Sequence, residues 1–191
     1  MILEGRITSL EEIFREGLRM REPEIVDILV PDLQEEVIDI NLIQKQTDAG
    51  EKSRFKSVVA VGNRDGYIGL GAGKAKQVRS AIEKGAVDAR LNVTIVRRGC
   101  GSWECGCEKP HSLPFKVRAK CGGVEVVLIP GPRGLGLVAG EAAKIILRLA
   151  GVKDCWTRSY GATRTVPSLA YAVFEALRKT YRLVTPEDWV R

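Results

Sequence analysis

Four side chains within twelve residues carry the softest metal donors in this sequence: Cys100, Cys105, Cys107 and His111. Three thiolates and one imidazole form a tetrahedral zinc donor set, so the run is a candidate structural zinc site. Its Cys-x4-Cys-x-Cys-x3-His spacing differs from paired C-x2-C knuckles, and reduced, buried cysteines in a tight loop are the competing reading. Cys121 offers a substitute ligand. With Cys155 the count is five, and an odd count argues for thiols or a metal rather than a disulfide framework. His111 is the sole histidine, so a Ser-His-Asp or Cys-His site would have to use it. The sequence shows no carboxylate to orient it. Glu104 and Glu108 read as solvated loop carboxylates. These observations predict a protein that is not an enzyme.

Two glycine-rich segments could bring backbone amides to an anion. Gly69-Leu70-Gly71-Ala72-Gly73-Lys74 reads as a tight turn from a short strand into a helix, whose first N–H groups suit a phosphate. Ile68 stands where a P-loop needs its first glycine, and Ala75 where it needs Ser or Thr. With Lys74, Lys76 and Arg79 around it, the segment reads as a nucleic-acid phosphate site. The competing reading is a turn that needs only φ > 0. Gly134-Leu135-Gly136-Leu137-Val138-Ala139-Gly140 follows an apolar strand and opens a helix. Asp154 lies near the distance where a dinucleotide fold places its ribose acid. A nucleotide-dependent enzyme using this loop is therefore the second functional reading. Against it, the glycine spacing departs from G-x-G-x-x-G and the strand–helix series is short. Pro130, Pro132 and Arg133 suit an RNA-facing loop.

Charge favours a polyanion partner. The 191 residues carry a net +6, but residues 1–40 hold −7, residues 41–120 hold +9 and residues 121–191 hold +4. An acidic arm thus precedes a basic body. Hydrophobic residues are 45% of the chain, enough for a packed core. No apolar run reaches the ~18 residues of a membrane span, and residues 1–6 lack the apolar core of a secretory signal. Aromatics are 6%, too sparse for a base-stacking platform of the single-strand type. Tyr67, Trp103, Trp156 and Tyr160 are the only well-placed rings, while Phe55, Tyr171 and Phe174 read as core residues.

The elements follow from periodicity. Ser9 and Glu12 have capping-box spacing, and Leu10, Ile13, Phe14 and Leu18 continue a helix. Pro23 and Pro31 bracket Ile25 to Val30, which reads as irregular chain. From Glu36 the period becomes two: Ile38, Ile40 and Leu42 predict a half-buried strand. Asp48 to Glu51 make a turn, Phe55 to Val61 a second strand and Tyr67 to Leu70 a third. A helix is expected from Lys74 to Leu91. Then come strands Val93 to Arg98, Phe115 to Lys120 and Val124 to Ile129, with a hairpin at Gly122-Gly123. A helix from Ala139 to Ala150 stops at Gly151. A short strand spans Cys155 to Tyr160, and a last helix opens at Pro167.

Residues 61–82, Val61-Gly62-Asn63-Arg64-Asp65-Gly66-Tyr67-Ile68-Gly69-Leu70-Gly71-Ala72-Gly73-Lys74-Ala75-Lys76-Gln77-Val78-Arg79-Ser80-Ala81-Ile82, closely resemble the signature of the small ribosomal subunit's protein-five family. Further blocks agree: Pro110-His111-Ser112, Lys120-Cys121-Gly122, Leu128-Ile129-Pro130 to Gly140, and Leu149-Ala150-Gly151-Val152 to Ser159-Tyr160-Gly161-Ala162-Thr163. The likeness runs in order over residues 36–181. The cysteine loop, the acidic arm and the Thr185 to Trp189 tail resemble the archaeal and eukaryotic branch, and the cysteines favour its archaeal side.

The resemblance implies an α+β fold of two small domains. A double-stranded-RNA-binding-like β-β-β-α unit would cover 36–91. A C-terminal domain with a four-stranded sheet and two helices would cover 92–181. Residues 1–35 would form an acidic helical arm and 182–191 a tail. It implies a cytoplasmic ribosomal constituent that binds small-subunit ribosomal RNA near the decoding centre and messenger entry path, supporting assembly and translational accuracy. Its neighbours would be ribosomal proteins four, three and eight, with messenger RNA nearby. It would require no cofactor, meet no membrane and form no homo-oligomer. The RNA contacts fall first to Lys45, Lys52, Arg54 and Lys56. The last three match basic positions of a family loop reaching head-region RNA, which Asp48 and Glu51 make less basic here. Arg64, Gly69, Gly71, Gly73, Lys74, Lys76 and Arg79 form a second group. Gln77 and Arg79 replace a common family glutamate and proline. Arg97, Arg98, Arg118, Lys120, Arg133, Arg158 and Arg164 complete the set.

Overall fold

A computed structural model describes residues 9–18, 20–107 and 109–182. Its elements are α1 (Leu10–Arg15), α2 (Glu24–Leu29), β1 (Gln34–Thr47), β2 (Gly50–Gly62), β3 (Tyr67–Ala75), α3 (Val78–Leu91), β4 (Thr94–Ile95), β5 (Val117–Cys121), β6 (Val124–Pro130), β7 (Leu137–Val138), α4 (Glu141–Leu149), β8 (Cys155–Gly161) and α5 (Val166–Thr180). They build two four-stranded sheets, ordered β1-β2-β3-β4 and β5-β6-β8-β7, in the α+β class expected. The chain divides into two units, Met1–Asn63 with Gly69–Val93, and Arg64–Ile68 with Thr94–Arg191. The Thr185 to Trp189 tail and Glu108 lie outside the described residues.

In the first unit Ser9 caps α1, its side chain accepting from Glu12 N at 3.4 Å, and Leu10 and Ile13 are buried. The stretch after Pro23, expected to be irregular, is the helix α2, which buries Val26. Pro23 precedes its first turn, where a missing N–H costs nothing. The acidic arm is tied to α3 through Arg90. Its Nη2 lies 2.5 Å from Glu35 Oε1, and its Nε lies 3.0 Å from Asp27 Oδ1, an ion-pair approach without hydrogen-bond alignment.

Strands β1 and β2 are much longer than the periodicity implies. A bulge between Val37 and Asp39 shifts their register, and the pairing then continues to Thr47 opposite Gly50. Of the hydrophobics predicted to be half-buried, Ile38 is so, but Ile40 and Leu42 are 42% and 54% accessible. Phe55, expected in a core, sits opposite Leu42 in the same hairpin. Alternation predicted a strand correctly, but the strand outruns the core that would bury it.

Gly69, Gly71 and Gly73 depart most from the expected turn. They lie in the strand β3 rather than a turn, and their φ angles are not positive. All three are buried. A methyl on Gly71 would stand 2.5 Å from Gly85 O, and one on Gly73 2.5 Å from Gly85 N. The alternating glycines therefore let the α3 backbone lie directly on the strand. Helix α3 starts at Val78, so Lys74 and Lys76 precede it. Ser57, fully buried, donates to Ala81 O at 2.7 Å and joins β2 to the same helix.

In the second unit β6 pairs antiparallel with both β5 and β8. Helix α5 packs on β5 and β6, burying Ala170, Val173, Phe174 and Leu177 against Val124, Val126 and Leu128. The strand expected from Val93 to Arg98 shortens to Thr94–Ile95. Helix α4 stops as predicted, with Gly151 at φ +80 after the cap residue Ala150.

Candidate nucleic-acid interface and metal centre

The register of the β1–β2 hairpin sorts its side chains. Lys45 pairs with Lys52, Ile43 with Arg54 and Asn41 with Lys56. Residues two apart on a strand share a face and paired residues point the same way, so Lys45, Lys52, Arg54 and Lys56 stand on one face. Lys74, from the end of β3, joins Lys45, Thr47, Lys52 and Arg54 around one concavity. A second, about 440 Å³, is lined by Arg54, Lys74, Lys76, Gln77, Ser80 and Lys84. The first turn of α3 carries no acid, so its positive end reinforces these cations. Lys84 and Ser80 escaped the sequence reading. Their i, i+3, i+7 spacing with Gln77 could have found them. Arg79 is 91% exposed and pairs with Glu83 at 3.2 Å. Packing against α3 takes the place of the turn that Gly69, Gly71 and Gly73 were expected to form.

The remaining predicted cations lie in the second unit. Arg64 is exposed at φ 57. Arg98 pairs with Asp65, and the Arg97 guanidinium sits 5.6 Å from the Tyr181 ring centroid. Arg118 grips Glu125 with two contacts of 2.5 and 2.7 Å. That fork and its charge hold the Glu125 carboxyl below its ordinary range. Lys120, Arg133, Arg158 and Arg164 are exposed. Arg98, Lys109, Arg133 and Lys153 line a cavity of about 610 Å³ with His111 and Asp154.

The structure gathers the four predicted soft ligands. The Sγ atoms of Cys105 and Cys107 are 3.2 Å apart, those of Cys107 and Cys100 3.7 Å, and Cys105 Sγ lies 3.6 Å from His111 Nε2. All four ligand atoms fall within 4.8 Å of one another. A zinc tetrahedron with Zn–S near 2.3 Å has edges of about 3.8 Å, so the cluster has nearly that size. Cys121 lies at the end of β5, and Cys155 is buried, its thiol pushed up to about 12 by desolvation. Within the cluster a hydrogen bond with Cys107, then the backbone N–H of Arg133, pull Cys105 down to about 6. Burial pushes Cys100 up to about 11.

Asp154 supplies the orienter that the sequence did not show. It is 5% exposed, and its Oδ2 lies 2.7 Å from His111 Nδ1. Its Oδ1 accepts from Gly134 N at 3.1 Å and Gly136 N at 2.8 Å. This overturns the nucleotide-enzyme reading of Gly134 to Gly140. The amides a pyrophosphate would need already hold a buried carboxylate, and β6 and β8 are antiparallel rather than the parallel pair of a dinucleotide fold.

Comparison with known proteins decides the family. Residues 33–97 match the model "Ribosomal protein S5, N-terminal domain", and residues 119–188 match "Ribosomal protein S5, C-terminal domain". The chain belongs to the ribosomal protein S5 family. It is 59% identical over 181 residues to the small ribosomal subunit protein uS5 of Pyrobaculum calidifontis, covering 95% of this chain and 90% of that one. The uS5 of Ignicoccus hospitalis is 58% identical over 191 residues, covering 100% and 90%. That of Aeropyrum pernix is 58% identical over 189 residues, covering 99% and 87%. Both S5 domains match in their family order, and these relatives are archaeal, as the cysteine loop suggested.

Proposed function

We propose that this chain is a structural, non-catalytic constituent of the small ribosomal subunit that binds folded small-subunit ribosomal RNA. The observation that carries this reading is the shared face of Lys45, Lys52, Arg54 and Lys56, continued by Lys74, Lys76 and Lys84. Such a surface grips phosphates by charge and geometry, without reading base sequence. Exposed Arg64, Arg133, Arg158 and Arg164 extend the contacts through the second unit. Residues 36–91 act as the RNA-binding domain and 92–181 as its companion. The acidic arm, residues 1–35, meets basic neighbours. Within the cytoplasmic ribosome we place the chain near the decoding centre and messenger entry path, beside ribosomal proteins four, three and eight. There it supports assembly and accuracy. Among the described residues no helix is long and apolar enough to cross a membrane.

Cys100, Cys105, Cys107 and His111 hold a structural zinc ion, with Asp154 orienting the imidazole. This carboxylate–histidine relay is the usual support of a metal-bound imidazole. Co-sedimentation with small ribosomal subunits at moderate salt tests the main reading, and its absence would refute it. Elemental analysis tests the zinc: about one equivalent per chain is expected, and less than about half would refute it.

A further inference from the structure

Strand β8 carries Trp156, Arg158 and Tyr160 at alternate positions, so all three stand on one face of the second sheet. The other face is the covered one: Cys155, Val124, Val126, Leu128, Val117 and Ala119 are all buried. Pairing sets Arg158 beside Val127, and Val127 beside Arg118. It likewise sets Tyr160 beside Glu125, and Glu125 beside Lys120. Trp156 has Ile129 on one flank and Val138 on the other. Trp156 is 40% exposed, Tyr160 52% and Val138 50%. The only acid among these residues, Glu125, is already paired with Arg118, so with Lys120 and Arg158 the face keeps a net positive charge.

We infer that this face binds an unpaired ribonucleotide segment, with Trp156 and Tyr160 each stacking on a base and Arg158 contacting the phosphate between. Half-exposed rings interleaved with cations on an open sheet are how unpaired RNA is held, since every base has a π-face and the backbone is anionic. Their Cα atoms stand about 13 Å apart, at roughly 3.3 Å per residue, so the two rings take two different bases. A duplex hides its base faces and meets only the cations. The sparse aromatic content argued against such a platform, but the strand places two of the few rings together. This inference rests on the RNA-binding reading above and adds the form of RNA bound.

The test uses the full chain and fluorescence anisotropy with two probes, an oligouridylate and an RNA duplex, each of about ten residues per strand. Combined Trp156→Ala and Tyr160→Ala is expected to weaken oligouridylate binding about ten-fold or more and to change duplex binding less than about two-fold. Combined Trp156→Phe and Tyr160→Phe should keep most oligouridylate affinity, which separates stacking from folding. Oligouridylate binding unchanged in the alanine pair, or duplex binding without oligouridylate binding by the native chain, would overturn the inference and leave the RNA-binding reading standing. Failure to bind either RNA would sink both. Photocrosslinking of purified small subunits with added messenger then identifies the source. A peptide bearing Trp156 or Tyr160 joined to ribosomal RNA or to messenger supports the inference, and one joined only to protein overturns it.

Discussion

His111 Nδ1 lies 2.7 Å from Asp154 Oδ2, although 43 residues separate them. The other oxygen of that carboxylate holds Gly134 N and Gly136 N. Ser112, next to His111, donates to Asp154 O at 2.5 Å and accepts from Gly131 N at 3.1 Å. One buried acid therefore sets the tautomer of the sole histidine and the course of the Pro130 to Gly136 loop. Its Oδ2 accepts from Nδ1–H and leaves Nε2, the atom facing Cys105, free to ligate.

Asp154→Asn should expose that role. The amide can still accept from Gly134 and Gly136, but its NH2 facing Nδ1 would move the imidazole proton to Nε2. Zinc affinity is expected to fall about 10–100-fold, measured by competition with a chelator. Unchanged affinity would remove His111 from the ligand set.

The glycines of β3 predict a stability effect. Gly71→Ala places a methyl against the α3 backbone at Gly85 and Ala89, so a loss of about 1–3 kcal/mol is expected. At Gly123 a methyl meets only the Ala162 Cβ, at 4.0 Å. Gly123→Ala should therefore stay within about 0.5 kcal/mol. Thermal melts of the two variants make the comparison, and equal shifts would refute the packing role.

The hairpin face predicts a salt dependence. Replacing Lys45, Lys52 and Arg54 together with Ala should flatten the slope of log affinity for ribosomal RNA against log salt by about two to three units. Arg79→Ala should move it by less than about half a unit, because Arg79 is compensated by Glu83. Filter binding across a salt series reads both. An unchanged slope in the triple variant would take this face out of the interface.

The Arg118–Glu125 fork predicts a pH effect. The Glu125 carboxyl titrates lower in the folded chain than in the unfolded one, through its hydrogen bonds to Arg118. The folded state then binds fewer protons, so this contribution is complete above the ordinary glutamate range and fades as pH falls through and below it. Melts from neutral pH down to about pH 3 should show a flatter acid limb for Glu125→Gln. Arg118→Ala should raise the Glu125 titration seen by NMR. A titration that stays in place would refute the pairing.

Much of the fold was legible in local pattern. Ser9 with Glu12 announced α1, Gly122-Gly123 announced the β5–β6 hairpin, and Gly151 announced the end of α4, because caps and turns depend on a few adjacent residues. The cysteine spacing likewise announced a cluster. Less legible were β3, whose alternating glycines mimic a loop, and the β1–β2 hairpin, whose outer half lies beyond any core.

The class of the fold, the donor atoms of the cluster, the basic body behind an acidic arm and the family were all present in the linear chain. All of these reside in residue type and short-range order. Long-range pairing chose which charges share a face: the β1–β2 register sets Lys45 opposite Lys52, and the end of β3 brings Lys74 to them. The tertiary structure alone turned three glycines from a presumed phosphate turn into a bed for α3. It alone brought Asp154 to His111 and set Trp156 and Tyr160 on one open face. Long-range pairing is a product of how the chain closes on itself, and no window of neighbouring residues contains it.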